Sequence, residues 1–140
     1  MANLSDFYSS SFLAEHELQK QVNNSNYTFV LGDQKSELHV STDASAYTWT
    51  IPLNASAAFP IGSIFTMYNE GAGEITLTAD GAATISEAGA DGSDSDFVIS
   101  QYGLATVIKV DTDSWIFSGG ASAGPSTPIS RSLLKFFGRL

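Results

Sequence analysis

The sequence predicts an all-β fold, a sandwich or jelly-roll-like body with an N-terminal arm and short helix and a C-terminal amphipathic tail. Three observations predict it. From Tyr27 onward apolar residues recur with a period of two, as in 37–41 (ELHVS), 47–51 (YTWTI) and 74–79 (EITLTA), the spacing of a half-buried strand. Clusters of Gly, Asn, Asp and Ser separate these runs at roughly ten-residue intervals. Strands do not alternate with helical patterns, so a parallel α/β sheet is not expected.

Composition narrows the function classes. The 140 residues match one domain with arms. Charged residues make up 15% of the chain, against about 25% in ordinary globular domains, as expected where neighbours cover much of the surface. A net charge of −9 argues against nucleic acid as a partner, since phosphate binding needs clustered Lys and Arg. There is no cysteine, which excludes disulfides and thiolate chemistry. No stretch approaches the roughly 18 apolar residues of a membrane helix, so no membrane partner is expected, and MANLSDFYSS lacks the basic and apolar regions of a signal peptide.

Three segments follow in order: 1–26, an arm and short helix; 27–118, the β domain; 119–140, a flexible linker and docking tail. Residues 1–9 read as an extended arm carrying Phe7 and Tyr8. A helix is expected from Ser10 or Ser11. Serine suits the N-cap, Glu15 and Glu17 come early, Lys20 comes late, and Leu18 and Val22 would share a face. It should end at Asn23-Asn24-Ser25-Asn26, a turn-forming cluster.

Strands are expected at 27–31, 37–41, 47–51, 61–68, 74–79, 83–86, 97–100, 104–110 and 114–117. Pro52 and Pro60 bracket the small-residue loop LNASAAF and stop strand pairing on either side, because proline has no N–H for a ladder. Glu70-Gly71-Ala72-Gly73 and Asp80-Gly81 carry hairpin chemistry. A bulge is expected near Gly103, and Asp111-Thr112-Asp113 reads as a turn.

Charge is unevenly placed. Residues 27–118 hold two lysines against twelve acids, a net of −10, whereas 119–140 hold Arg131, Lys135 and Arg139 and no acid. In 129–140 (ISRSLLKFFGRL) the three cations recur at i, i+4 and i+8 beside Leu133, Leu134, Phe136 and Phe137. A basic amphipathic element after a Gly/Ser-rich linker suits docking onto an acidic surface.

Candidate chemical sites are sparse. His16 and His39 have no cysteine or second histidine at ligand spacing. His39 alternates with Leu38 and Val40 and is expected on the polar side of its strand. Asp91, Asp94 and Asp96 offer carboxylates for Ca²⁺, but EF-hand spacing is absent and a solvated loop is expected. Asp111 and Asp113 beside Trp115 read as a turn flanking a core aromatic. Tyr47, Trp49 and Tyr68 have the chemistry to stack on sugars, although inward strand positions are the expectation. Neither a cofactor nor a metal is expected, and no catalytic set is evident.

The ordered pieces YTFVLGDQ, AYTWTIPLNASAAFPIGSIFTMYNEGAGEITLTA, DGAATI and QYGLATVIKVDTDSWIFSG resemble a β-domain of tailed-bacteriophage virion proteins. The resemblance implies a non-enzymatic structural role in head decoration (cement) proteins or in fibres, often as trimers. The expected function is therefore a homotrimeric capsid decoration protein on the virion exterior. Its expected partners are copies of itself and the major capsid protein or another virion protein. The alternative is a tail or head fibre that binds a host glycan. Phe7, Tyr8, Phe12 and Leu13 in the arm, with Arg131, Leu133, Leu134, Lys135, Phe136, Phe137 and Arg139 in the tail, are the expected assembly residues.

Overall fold

A computed structural model describes residues 17–35 and 37–119. The expected assembly residues of the arm and tail, the linker beyond Gly119 and the start of the expected helix lie outside the described residues; Gly119 itself ends a strand. The described residues form ten strands: β1 Gln19–Val22, β2 Tyr27–Thr28, β3 Glu37–Ser41, β4 Tyr47–Ile51, β5 Ile64–Asn69, β6 Ile75–Ala79, β7 Thr84–Glu87, β8 Phe97–Ile99, β9 Leu104–Asp111 and β10 Ser114–Gly119. They form a six-stranded sheet, β1-β3-β5-β9-β10-β7, and a four-stranded sheet, β2-β4-β6-β8. The all-β expectation holds for the described residues, which contain no helix.

From β1 to β9 the chain changes sheet at every connection, and only β9 and β10 are consecutive strands that pair. The pairs β1–β3, β3–β5, β2–β4 and β4–β6 are all parallel. The first six strands therefore wind as three stacked rungs, each giving one strand to each sheet. Antiparallel β8 and β9 then close on β6 and β5. This winding corrects the hairpins expected at 70–73 and 80–81, which are corners between sheets. The physical reason is burial. Phe65 and Met67 of β5 and Ile75 and Leu77 of β6 belong to one core cluster, and turning the corner sets the two strands on facing sheets. Gly103 likewise lies in a corner, between β8 and β9, with Tyr102 at φ +66°. The register shift falls instead at Ser114/Trp115. The turn at 111–113 does join an antiparallel pair, as expected.

The expected helix is corrected at its C-terminal end. Gln19–Val22 form a parallel strand on β3, in register from Gln19↔Glu37 to Val22↔Val40. Pairing with β3 satisfies backbone groups that local propensity would have placed in a helix, and such tertiary pairing overrides a weak propensity. Lys20 also forms an ion pair with Glu70 at 3.3 Å.

The inner faces of the two sheets meet in an aromatic core. Phe29 stacks on Phe65 at 4.3 Å, and Phe65 stacks on Trp115 at 5.1 Å. Phe59, from the loop between the prolines, meets both Phe65 and Trp115 edge-on. That loop is tied down by a buried cation. Lys109 of β9 points inward and donates from Nζ to Asn54 Oδ1 at 2.6 Å and to the Phe59 carbonyl at 2.7 Å. The Asn54 N–H donates to Asp113 Oδ1 at 2.7 Å. Replacing Lys109 by methionine keeps the apolar stem and leaves these two acceptors unpaired. It should lower unfolding free energy by about 1–3 kcal/mol, read as a lower urea midpoint with an unchanged slope.

Candidate functional site

Alternation along each strand decides what the outer sheet faces present. On the four-stranded sheet, Thr28 pairs in register with Thr50, Thr50 with Thr78, and Thr48 with Thr76. This face is polar and almost uncharged. The six-stranded sheet differs. Its inner positions hold Phe65, Met67, Ala105, Val107, Trp115 and Phe117, all buried. Its outer face carries two apolar cross-strand rows, one of Val22, Val40, Tyr68 and Leu104 and the other of Ile64, Ile108 and Ile116, with a row of Leu38, Thr66, Thr106 and Ser118 between them. Leu104 is 57% exposed, Val22 47% and Ile64 46%. Several large apolar side chains exposed on one sheet face mark an interaction surface. The signal was present in 104–110 (LATVIKV), where Leu104, Ile108 and Val110 alternate with Ala105 and Val107, so both faces of one strand are apolar.

The second notable constellation is buried. His39 was expected on the polar side of its strand; it is fully buried. It sits edge-on to Phe29 at 5.0 Å and lies within 6.4 Å of Trp49 and Phe65. The reason is parity. Glu37, His39 and Ser41 occupy the inner positions of β3, and Leu38 and Val40 face outward. Asn23 lies with Nδ2 3.0 Å from His39 Nδ1. The other ring nitrogen, Nε2, is 3.6 Å from Glu37 Oε2 and has no hydrogen-bond partner among the described residues.

Asp33, in the turn after β2, completes the group. Its Oδ2 accepts from the Tyr27 hydroxyl at 2.8 Å and from the Val30 N–H at 2.7 Å. Burial pushes the His39 pKa down, outweighing the pull of the Asp33 carboxylate toward a charged ring. Burial and the neighbouring Asp33 push the Glu37 carboxyl up. Tyr27 is pushed well above the ordinary tyrosine value by burial and by its bond to Asp33. The ring thus lies beside two carboxyl groups in surroundings that disfavour its charged form.

The remaining sequence candidates do not converge. Asp91 Oδ1 accepts from the Ser93 N–H, Asp94 Oδ1 from the Ile85 N–H and Asp96 Oδ1 from the Thr78 hydroxyl. Each carboxylate shapes its own part of the loop. Trp49 and Trp115 are buried in the core. Tyr47 packs against the core and its hydroxyl donates to Asp43, whereas Tyr68 lies on the outer face of the other sheet. No helix of the described residues is long and apolar enough to cross a membrane. Comparison of the chain with protein-family models, curated proteins and solved structures finds no match.

Proposed function

We propose that the chain is a non-enzymatic assembly module, and that residues 129–140 of a sister copy cover the apolar face of its six-stranded sheet. The observation that carries this reading is the unpaired apolar face built around Val22, Ile64, Leu104 and Ile108. Two further facts favour the occupant. Gly119, the last described residue of β10, pairs with Ala105, next to Leu104 in the chain. The linker 120–128 reaches up to about 30 Å when extended. The segment it carries is basic and apolar, and the body is acidic, so charge and hydrophobicity both match.

The setting we propose is the exterior of a tailed-bacteriophage head, as a homotrimeric decoration protein held to the major capsid protein. The ordered resemblance in 27–119 supports this setting. The three parallel rungs favour a second reading, a fibre component. Among the described residues β1 and β2 each pair on one side only, and an elongated particle grows by adding rungs to such an edge.

Sedimentation equilibrium of the full chain tests the assembly reading. Leu104→Asp, or removal of 129–140, should raise the self-association constant for dissociation about thirty-fold or more, as for an interface hot spot worth ~2 kcal/mol. Far-ultraviolet dichroism should keep its β signature. Wild-type mass in both variants sinks the reading. Electron microscopy of intact particles separates head from fibre.

A further inference from the structure

We propose that Asp33, Glu37 and His39 form a binding site for a divalent transition-metal ion of the Zn²⁺ class, which clips the turn after β2 onto β3. The inference is independent of the assembly reading. One ligand atom from each side chain lies within 4.8 Å of the others, close to the span of ligands that each sit about 2.0–2.2 Å from one ion. The second observation is the His39 ring. It is fully buried, and its Nε2 has no hydrogen-bond partner among the described residues. At 3.6 Å, Glu37 Oε2 is too far for a hydrogen bond.

The surroundings suit ligation. Tyr27 and Val30 hold Asp33 through a single oxygen, Oδ2, which fixes the carboxylate beside the ring. Asn23 fixes the ring from its far side. Asn23 presents Nδ2 to Nδ1; ligation needs its amide turned by half a rotation, so that Oδ1 accepts from Nδ1–H and the Nε2 lone pair faces the carboxylates, the arrangement in which an outer partner orients a metal-bound imidazole. Two carboxylates and a neutral imidazole would neutralise the charge of a divalent ion. The Glu37 side chain is 30% exposed, giving an ion a route in and leaving room for water as a further ligand. An imidazole ligand disfavours Ca²⁺ and Mg²⁺, which take oxygen ligands, and suits Zn²⁺, Fe²⁺ or Ni²⁺.

The test titrates ZnCl₂ and CoCl₂ into the chelator-treated full chain, followed by calorimetry and by cobalt absorption. One saturable equivalent is expected, with a Co²⁺ spectrum of low coordination number. Glu37→Gln keeps the side-chain shape at a partly exposed position and should weaken binding at least ~10-fold. His16→Asn and the double variant Asp91→Asn/Asp94→Asn should bind as wild type does. Saturating Zn²⁺ should raise Tm by about 10 °C in the wild-type chain and by far less in Glu37→Gln. The absence of a saturable equivalent overturns the proposal. So does wild-type affinity in folded Glu37→Gln, or loss of binding in His16→Asn.

Discussion

Gly71→Ala is expected to leave little folded protein, with a stability loss above about 4 kcal/mol. A Cβ on Gly71 would lie 1.9 Å from the Asp43 carbonyl oxygen, and one on Gly73 would lie 2.0 Å from the Ser45 carbonyl oxygen. Both obstacles are backbone, so no rotamer change relieves them. The obstructing corner has little freedom to retreat. The Glu70 and Gly71 N–H groups donate to the Ser41 carbonyl at 2.8 and 3.0 Å, and the Tyr47 N–H donates to the Glu74 carbonyl at 3.0 Å. The clash arises because corner 70–74 stacks directly on corner 42–46. Gly89 provides the comparison. It has φ +85° and nothing within 4 Å of an added Cβ, so Gly89→Ala should cost only about 1–2 kcal/mol for its left-handed backbone. Soluble yield and urea unfolding of the two variants check the contrast. Equal stability would show that the corners do not stack as described.

Asn69→Ala should cost about 3 kcal/mol or more. The Asn69 side chain is fully buried. Its Nδ2 donates to the Gly73 carbonyl at 2.7 Å and to the Ile99 carbonyl at 2.9 Å, and its Oδ1 accepts from the Gly71 N–H at 3.1 Å. One amide thereby satisfies three backbone groups from two corners of the fold. Truncation takes the side-chain donor from both carbonyls in a site closed to water, at about 1–3 kcal/mol each, while the Gly71 N–H keeps its bond to the Ser41 carbonyl. Asn69→Asp should be worse, because a carboxylate would face two carbonyl oxygens and neither could donate to it. Urea unfolding with a constant slope measures both. A loss below about 1 kcal/mol for Asn69→Ala would mean that water or a rearranged corner replaces the amide.

Much of the strand content was legible because period two is a local property. Residues 47–51 place Trp49 and Ile51 inward as their alternation requires, and 114–117 do the same for Trp115 and Phe117. The candidate interaction face was legible in part, through the two apolar parities of 104–110. Gly71, Gly73 and Asp80-Gly81 were legible as turns but not as corners, because turn chemistry fixes a reversal and leaves open which sheet receives the next strand. Lys109 shows the same limit: its inward parity follows from Val107, yet its partners, Asn54 and Phe59, are 55 and 50 residues away. The Asp33, Glu37 and His39 group escaped detection for a similar reason. Three residues of mixed type across a turn match no ligand motif, and only the burial of His39 makes its free nitrogen conspicuous.

The strand alternation, the acidic body with its basic C-terminal segment and the positions of the turns follow from the order of amino acids, because these depend on neighbours along the chain. That successive strands lie in opposite sheets and stack as parallel rungs emerges with tertiary pairing. Tertiary pairing also makes Gln19–Val22 extend the sheet, turns His39 to the core and sets rows of apolar side chains on the exterior of one sheet. These outcomes depend on pairing between strands far apart in sequence, where the competition is among whole arrangements of buried surface and satisfied backbone groups.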